Sequence, residues 1–461
     1  MVKLLSSRLS PFRHQDFRRF FLVQTVSQVG TWSHELARAW IVIEIMGKAG
    51  ALGLLMLAMA VPAFFLILHG GVVVDRSDVR RTMMLTKGLL AASALTLAFM
   101  VEFTQIQLWH LLVFALIEGA VNAFDQPAYQ TITPRLVPRA DFQQALALNS
   151  TNFHASRMLG PLVAGVLMAW QGPALVFLVD GISYLGLILV LRTLKLQQGE
   201  KGAQRLSPER RGDQTQPSME ILSEEISSTA ETRSTFTAKE RARSSPNSAD
   251  SPLGARARRS SNWAALFEGL RYMFSDSNLR YRILQLLLNI TLLFPLLIVV
   301  FRVYVQERFE LTAEQFGYLF TFPALGSMMG AITFTLVKPA KPIKALIFGI
   351  PMASLAVFLL PLVQSPLQAG LLMSLTGFSL YLSFAALTVS MHLEVMEEFR
   401  GRMGSVLGLC FLSIGPLMSF PIGLLSDVFG APLVMQSLAI VFLILSALLA
   451  LGLARSEASE S

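Results

Sequence analysis

Cysteine, charge and recognisable catalytic motifs are all scarce in this chain. Cys410 is the only cysteine among 461 residues, which excludes an intrachain disulfide framework. The sequence has no His/Cys cluster with metal-ligand spacing, no nucleophile elbow and no nucleotide-binding glycine loop followed by its lysine. These absences argue against an enzyme, against a bound metal or cofactor, and against a pump driven by ATP.

Charged residues make up only 15% of the chain, whereas hydrophobic residues make up 53%. A soluble domain does not need so much apolar surface, so the composition predicts an all-α membrane protein that lies in a lipid bilayer. The net charge of +8 is carried by Lys and Arg residues that flank hydrophobic segments, so no nucleic-acid partner is expected. Residues 1–21 lack the small-residue cleavage site of a signal peptide, and we interpret them as mature cytoplasmic sequence.

Twelve hydrophobic stretches are long enough to be membrane spans, because a helix needs about 20 apolar residues to cross a bilayer. The predicted spans are residues 18–46, 50–74, 81–103, 107–131, 142–170, 173–195, 280–305, 314–337, 343–363, 366–392, 402–427 and 431–453. Between the sixth and the seventh, the Ser, Glu, Arg, Thr and Pro content of residues 197–261 predicts a disordered linker. The predicted domains are therefore a six-helix bundle at 1–196, this linker, and an amphipathic helix followed by a second six-helix bundle at 262–461.

Lysine and arginine are unevenly shared between the two sides of the predicted bundle. The basic connections on one side are residues 76–81, 135–139, 338–344 and 400–402. The other side has little beyond Lys48 and Arg308. Because cytoplasmic loops hold the excess of positive charge, both termini and the linker are predicted to be cytoplasmic.

Polar residues recur at helical spacing in the first, fourth, seventh and tenth predicted spans. They are Gln24, Gln28, Thr31, Glu35 and Arg38; Glu118, Asn122, Asp125 and Tyr129; Arg282, Gln285 and Asn289; and Thr376, Ser379 and Ser383. A charged group at the centre of a span costs about 2.5–3.5 kcal/mol on insertion scales, so this alignment predicts a shared polar interior. The interval of three helices is typical of a duplicated fold built from three-helix units.

Nine of these residues are predicted to contact a small-molecule substrate: Gln28, Thr31, Glu35, Arg38, Asn122, Gln285, Asn289, Thr376 and Ser379. Arg38 would anchor an anionic group, and Glu35 would pair with it or carry a proton. Glu118 is a second candidate for proton coupling, because its own span offers no counter-charge within one turn. The alternative is that these groups satisfy one another as structural hydrogen bonds, with His34 as a further core residue.

A glycine-led basic loop, residues 70–81, joins the second and third predicted spans. The residues with a predicted role in a conformational latch are Gly71, Asp75, Arg76, Arg80, Arg81 and, in the fourth span, Asp125. Gly71 would let two helices pack closely, and Arg80 or Arg81 would pair with Asp125 at the cytoplasmic mouth. Asp75 would face the N-terminus of another helix. The alternative is that the arginines only fix topology, which explains their charge but not their spacing.

These segments together resemble the major facilitator superfamily of secondary transporters, and within it the bacterial branch of the enterobactin exporter and of multidrug and macrolide efflux proteins. The segments are residues 16–20, 27–32, 71–81, 122–128, 136–139, 145–150 and 160–161. The resemblance implies the major facilitator fold in the bacterial cytoplasmic membrane. It also implies an antiporter, since the motif Gly160-Pro161 in the fifth span is associated with antiport. With Gly165, this motif would permit helix bending and close packing.

The function implied by the resemblance is export of an amphiphilic small molecule, a drug or a siderophore-like compound, driven by proton antiport. A monomer is expected, with the substrate, protons and the lipid bilayer as its partners. Three departures limit this transfer. Ala115 stands where the antiporter motif has an arginine, four residues before Gly119, and the second-half counterpart of the loop, residues 330–344, has lysines but no acid. The trio His34, Glu35 and Arg38 is more polar than is expected for this branch and would suit a zwitterionic or anionic substrate. The alternatives are a lysophospholipid or other lipid transporter of the same fold, and a membrane receptor or scaffold that does not transport.

Overall fold

The computed structural model describes residues 10–194, 262–337, 342–396, 399, 403–404, 406–408, 410 and 414–460. Residues 1–197 and 266–461 belong to one compact unit, which contains both predicted bundles. A second unit, residues 198–265, lies almost wholly outside the described residues, and so does the predicted linker at 197–261.

The described first half consists of long helices joined by short connections. Its helices are α1 (Gln15–Met46), α2 (Ala49–Arg76), α3 (Val79–Phe103), α4 (Leu108–Ile132), α5 (Phe142–Gln171) and α6 (Pro173–Thr193). Short 3-10 turns lie at Ser10–Arg13, Thr133–Arg135 and Arg139–Asp141. The helices agree with the first six predicted spans to within a few residues.

Residues with special backbone preferences set the ends of these helices. Gly47 has a φ of 57° and ends α1 in the left-handed conformation that glycine adopts without strain. Gly172, with a φ of 76°, ends α5, and Pro173 begins α6 at the position where a missing N–H costs nothing. Asp78 caps α3 by accepting the backbone N–H of Arg80.

The second half is also helical. Its helices are α7 (Asn262–Ser275), α8 (Ser277–Leu288), α9 (Phe301–Phe309), α10 (Ala313–Val337), α11 (Pro342–Leu359), α12 (Pro366–Glu394), α13 (Gly415–Phe429) and α14 (Ala431–Glu460). Two π-helical turns, Asn289–Leu293 and Leu296–Val300, link α8 to α9 around Pro295, which has no N–H for the regular helical bond. The predicted amphipathic helix corresponds to α7, although its side chains from 262 to 267 lie outside the described residues.

Among the described residues, nine helical segments are long and apolar enough to cross a membrane. α1 and α5 have the length, at 32 and 30 residues, but they are too polar to be counted. α13 is apolar but has 15 residues, and most of the predicted span before it lies outside the described residues. The all-α membrane fold is therefore confirmed, whereas the number of twelve spans and the cytoplasmic termini stay predictions.

Four helices join the two halves near the predicted extracellular end. α5 meets α10 at Gly165 and Gly317, where a Cβ on Gly317 would lie 2.5 Å from the Cα of Gly165. α2 meets α13 in the same way, and a Cβ on Gly423 would lie 2.5 Å from the carbonyl oxygen of Ala49. Only glycine leaves room for backbones at this separation, so these positions permit the halves to touch.

A carboxylate reinforces the contact between α2 and α13. Asp427 accepts the backbone N–H groups of Ala49 and Gly50, with nitrogen–oxygen distances of 2.8 Å each. These N–H groups belong to the first turn of α2, where no partner within the helix is available. The structure is thus a conformation in which the halves are packed together at the predicted extracellular end.

Candidate functional site

A small cavity, partly open to solvent, lies within the first half, between α1, α2, α3, α4 and α6. Its lining residues are Thr31, His34, Glu35, Arg38, Met59, Leu90, Glu118, Asn122, Asp180 and Tyr184. Only Met59 and Leu90 are apolar, which suits a polar or charged ligand group better than a hydrocarbon chain. The cavity brings together the predicted residues of the first and fourth spans, except Gln28.

A line of four side chains crosses one wall of the cavity. Arg38 donates from Nη1 to Oε2 of Glu118, while Nε2 of His34 lies 3.3 Å from Oε1 of the same carboxylate. The other ring nitrogen of His34, Nδ1, lies 2.9 Å from Oδ2 of Asp180. We call these four residues the charge chain. None of them is more than 7% exposed, so their charges depend on one another for compensation.

Two glycines make this arrangement possible. A Cβ on Gly30 of α1 would lie 2.7 Å from Oδ1 of Asp180, so glycine here leaves space for the carboxylate. Gly119 of α4 contacts the backbone carbonyl of Met59, and no side chain would fit between α2 and α4 at this point. The small residues therefore set the distance at which the charged side chains meet.

The counter-charge of Glu118 is Arg38, which comes from α1. A partner from another helix was expected, because the span of Glu118 offers none within one turn. The pairing of Arg38 with Glu35, predicted from their spacing of three residues, does not occur. Arg38 faces α4 and Glu118, whereas Oε1 of Glu35 lies 3.8 Å from Nη2 of Arg302 on α9. The two neighbours on α1 thus point toward different helices.

Asp125 lies in a second buried ion pair, with a residue that the sequence did not single out. Lys87 donates to Oδ2 at 2.8 Å and Thr86 to Oδ1 at 2.7 Å, both from α3. The ammonium of Lys87 also lies 5.2 Å from the ring centroid of Tyr184. Lys87 and Asp125 are 6% and 5% exposed, so this pair is part of the interior rather than of a solvent-facing loop.

Arg80 does not reach Asp125, and the predicted pairing is corrected accordingly. Its guanidinium donates to the backbone carbonyls of Arg192 and Leu194 at the end of α6. A helix C-terminus offers free carbonyls and partial negative charge, so it attracts a cation as a carboxylate would. Arg81 lies 3.6 Å from Asp78 on the surface.

The other residues of the predicted latch are placed as follows. Arg76 is exposed at the end of α2, and the side chain of Asp75 lies outside the described residues. A Cβ on Gly71 would meet nothing within 4 Å, so Gly71 does not serve close packing here. Its neighbour Gly70 does, because it contacts the carbonyl of Ala123 on α4.

Gln28 and Thr31 bond to the first half itself. The amide of Asn152 on α5 donates to Oε1 of Gln28 at 3.1 Å. The hydroxyl of Thr31 lies 2.8 Å from that of Tyr184 on α6. These two residues connect α1 with its neighbours at one side of the cavity.

The predicted second-half residues do not line this cavity. Gln285 donates to Ser446 on α14 at 2.9 Å, and Thr376 and Ser379 donate to carbonyls of their own helix. Asn289 is 7% exposed, and its side chain has no hydrogen-bond partner among the described residues. These residues are therefore separate from the cavity that the first and fourth spans share, and one polar interior common to all four spans stays a prediction. Their contact with a substrate stays a prediction.

The residues of the Gly-Pro motif pack against two different helices. Gly160 contacts Trp32 on α1, and its carbonyl accepts the hydroxyl of Ser33 at 2.8 Å. Gly165 meets Gly317 of α10. α5 continues through Pro161 as a single helix, so close packing is the role visible in this conformation.

The sequence reasoning missed Lys87, Arg157, Asp180 and Arg302. Each lies outside the polar stripes that recur at helical spacing, so no polar periodicity marks it. The cost of such a residue in a bilayer was the available signal, since isolated charges in spans are rare and carry function or structure.

A further ionic contact lies in the connection between α4 and α5. Asp141, between α4 and α5, accepts the hydroxyl of Ser10 and lies 2.8 Å from Nε2 of His14. The hydrogen bonds from Ser10 and His14 hold the pKa of Asp141 below its ordinary value. They fasten the turn before α1 to the connection that precedes α5.

Comparison with known proteins gives a consistent set of relatives. A family model described as "Transmembrane secretion effector" matches residues 6–213. The staphyloferrin A transporter of Staphylococcus aureus is 26% identical over 172 residues, which cover 37% of this chain and 43% of that protein. Macrolide efflux protein A of Streptococcus pyogenes is 26% identical over 33% of this chain and 35% of its own length. The multidrug efflux pump Tap of Mycolicibacterium fortuitum is 23% identical over 89% of each chain. The chain thus spans less than half of the first two relatives.

Solved structures extend the similarity to nearly the whole chain. A bacterial homologue of the human lysosomal transporter Spinster, inward-facing and unoccupied, has a TM-score of 0.69 at 14% identity and covers 97% of this chain and 98% of its own. A bacterial homologue of the iron transporter ferroportin, also inward-facing, has a TM-score of 0.61 at 15% identity, with coverages of 95% and 98%. At such identities the likeness shows the fold alone.

Proposed function

We propose that this chain, which belongs to the major facilitator superfamily of membrane transporters, exports an amphiphilic small molecule by proton antiport. It is an integral multi-pass membrane protein and a transporter rather than an enzyme. The bacterial cytoplasmic membrane is its proposed location. The observation that carries the proposal is the charge chain of Arg38, Glu118, His34 and Asp180, buried beside a polar cavity.

The charge chain has the parts that coupling to protons requires. Imidazole is the side chain that most readily gains and loses a proton between pH 5 and 8, and His34 lies between two carboxylates. A proton on Glu118 would cancel the charge that Arg38 faces. Because a buried charge without a partner is unfavourable, protonation would change the energy of the conformation that holds this pair together.

Alternating access then needs two conformations that differ in their affinities for the proton and for the substrate. The present conformation is packed at the predicted extracellular end, through α2 with α13 and α5 with α10. A second conformation, open at that end, would admit protons and release substrate. A ligand shifts such an equilibrium only by its differential affinity for the two states.

The names of the relatives support export of a drug or a siderophore-like molecule, since they include macrolide efflux, multidrug efflux and staphyloferrin A transport. The polar lining of the cavity suits a charged or polar group of the substrate, since eight of its ten lining residues are polar. A lipid transporter of the same fold would need a wide lateral opening lined by apolar residues, because an acyl chain requires a long apolar surface.

The experiment is proton movement in proteoliposomes that contain a pH-sensitive dye. A macrolide, ethidium and staphyloferrin A are added in turn, and the wild-type protein is expected to move protons only when one of them is present. Glu118→Gln is expected to abolish this coupling. Glu102→Gln is the matched control, because Glu102 is exposed near the end of α3 and should leave coupling unchanged.

Two results would contradict the proposal in different ways. Coupling that persists in Glu118→Gln removes Glu118 from the proton path. Substrate accumulation without any proton movement in the wild type rejects antiport but leaves transport standing. Glu118→Asp, with a folded elution profile, separates loss of coupling from loss of structure because it keeps the carboxylate.

A further inference from the structure

A second group of charges lies where the halves meet, apart from the charge chain. Arg302 comes from α9 of the second half, and Arg157 and Glu35 come from α5 and α1 of the first. The distance between Nη2 of Arg302 and Oε1 of Glu35 is 3.8 Å, longer than a hydrogen bond. Arg157 lies close enough to Glu35 to interact with it electrostatically. We call Arg157, Arg302 and Glu35 the junction cluster.

Arg302 is buried with its hydrogen bonds unmade. It is 7% exposed, and its Nε and Nη1 have no hydrogen-bond partner among the described residues. A buried guanidinium that lacks acceptors carries the full cost of its lost hydration. The site is therefore incomplete in its present form, and an acceptor from outside the chain would complete it.

The charges of the junction cluster do not balance. Arg38 also lies near Arg302, but it is paired with Glu118. Arg157 has no carboxylate within 4 Å among the described residues, so it and Arg302 have only Glu35 between them. Two guanidinium groups against one carboxylate leave one positive charge uncompensated. The cluster therefore favours an anionic ligand.

Aromatic rings hold both guanidinium groups. The Cζ atom of Arg302 lies 5.3 Å from the ring centroid of Phe320, and that of Arg157 lies 5.4 Å from Trp32. Stacking on a ring occupies the face of a guanidinium and leaves its N–H edges available. Those edges match the two oxygens of a carboxylate, which arginine binds with a pair of parallel hydrogen bonds.

We propose that the transported molecule carries a carboxylate, which binds between Arg157 and Arg302 and displaces the carboxyl group of Glu35. The proposal rests on the proposed transport function and names the substrate class of that site. Glu35 is 27% exposed at its side chain and also lines the cavity, so it can leave Arg302 without entering an apolar environment. Because the arginines belong to different halves, the bound carboxylate would link the halves at their junction.

The test uses two probes of the same shape that differ in charge, N-dansylglycine and its neutral amide, N-dansylglycinamide. Their binding to the purified full-length protein in detergent is measured by dansyl fluorescence anisotropy at neutral pH. The wild type is expected to bind the carboxylate at least about tenfold more tightly than the amide. Arg302→Gln and Arg157→Gln should each reduce this ratio to near one, because a bidentate anion contact is lost.

Glu35→Gln should have the opposite effect and raise the affinity for the carboxylate severalfold, because the internal competitor is removed. The amide should be unaffected. Arg308→Gln is the matched control, since Arg308 lies on the same helix as Arg302 but is exposed. Its carboxylate-to-amide ratio should equal that of the wild type.

Equal or undetectable binding of the two probes to the wild type would overturn the proposal. So would an unchanged ratio in Arg302→Gln, or weaker carboxylate binding in Glu35→Gln. If Arg302→Gln does not fold, Arg302→Lys serves instead. Lysine keeps the positive charge but lacks the paired N–H groups of the guanidinium, so the carboxylate-to-amide affinity ratio should still fall. The assay involves neither a membrane nor a proton gradient, so its failure leaves proton-coupled export untouched, and a failure of coupling leaves carboxylate binding testable.

Discussion

The two halves of the chain have related helical architectures but different polar interiors. Among its described residues, the first half buries six acidic or basic side chains: His34, Arg38, Lys87, Glu118, Asp125 and Asp180. The polar residues placed in the interior of the second half are mostly uncharged: Gln285, Asn289, Thr376, Ser379 and Ser446. Duplicated folds of this kind have their site between the repeats. In the proposed antiport the proton chemistry would belong to the first half, while the second contributes a packing surface and two buried cations, Arg302 and Arg282, the latter paired with Glu394.

The difference also has an energetic meaning. In the first half, each of these six side chains is paired with a partner on another helix, as Arg38 is paired with Glu118. In the second half, Thr376 and Ser379 donate to their own helix and need no partner elsewhere. A change of protonation would therefore alter the packing of helices in the first half, whereas the ion pair of Arg282 with Glu394 in the second half has a carboxylate that is 39% exposed.

The largest expected effect comes from removal of Arg38. Arg38→Met leaves Glu118 buried beside His34 alone, and breaking a buried pair in this way costs about 3–5 kcal/mol. The free energy of unfolding, measured by denaturation in mixed detergent micelles, should fall by that amount.

The control for this prediction is Arg38→Met combined with Glu118→Leu. Replacing both charges with apolar residues should restore most of the lost stability, because no unpaired charge remains between α1 and α4. If Arg38→Met alone lowers the free energy of unfolding by less than about 1 kcal/mol, water already compensates the charges of the charge chain. The contrast between a charged interior in the first half and a mostly uncharged one in the second would then have no energetic basis.

The helices, and five of the residues that line the cavity, could be predicted from the sequence. Apolar length predicts the bounds of the helices, and helical periodicity predicts that Thr31, Glu35, Arg38, Glu118 and Asn122 share an interior. Periodicity states which residues lie on one face of a helix. It does not state which neighbour that face meets, and this limit explains most of the differences found.

The seventh predicted span shows the limit most clearly. Gln285 meets Ser446 of α14, whereas Arg302, further along the same span, meets Glu35 of the first half. Two π-helical turns lie between them, and the count of 3.6 residues per turn does not extend across such turns. Arg80 illustrates the same point, because its charge predicts an acidic partner while the end of α6 supplies carbonyl groups instead.

The contact between the halves gives a prediction of intermediate size. Gly317→Ala places a Cβ 2.5 Å from the Cα of Gly165, so α5 and α10 must separate. Overpacking of this kind costs about 1–3 kcal/mol, which moves the equilibrium toward the state open at the predicted extracellular end by roughly tenfold for each 1.4 kcal/mol. Spin-label distances between α5 and α10, in a Cys410→Ala background, should show a larger open population.

Gly71→Ala is the matched control for this change. A Cβ at Gly71 meets nothing within 4 Å, so the distance distribution should equal that of the parent protein. An open population that is unchanged in Gly317→Ala, or equally raised in Gly71→Ala, would show that the glycine contact does not hold the halves together.

The smallest effect is expected at Gln285, an uncharged buried residue of the second half. Gln285→Leu removes a hydrogen bond of 2.9 Å to Ser446, and hydrogen bonds between membrane helices contribute about 0.6 kcal/mol on average. The hydroxyl of Ser446 can turn to a carbonyl of its own helix, as other serines of this chain do, so no polar group is stranded. The free energy of unfolding in mixed micelles should fall by about 1 kcal/mol or less, several times below the loss in Arg38→Met. A loss as large as that of Arg38→Met would mean that an uncharged contact of the second half stabilises the fold as much as the charge chain does. The assignment of proton chemistry to the first half would then rest on transport measurements alone.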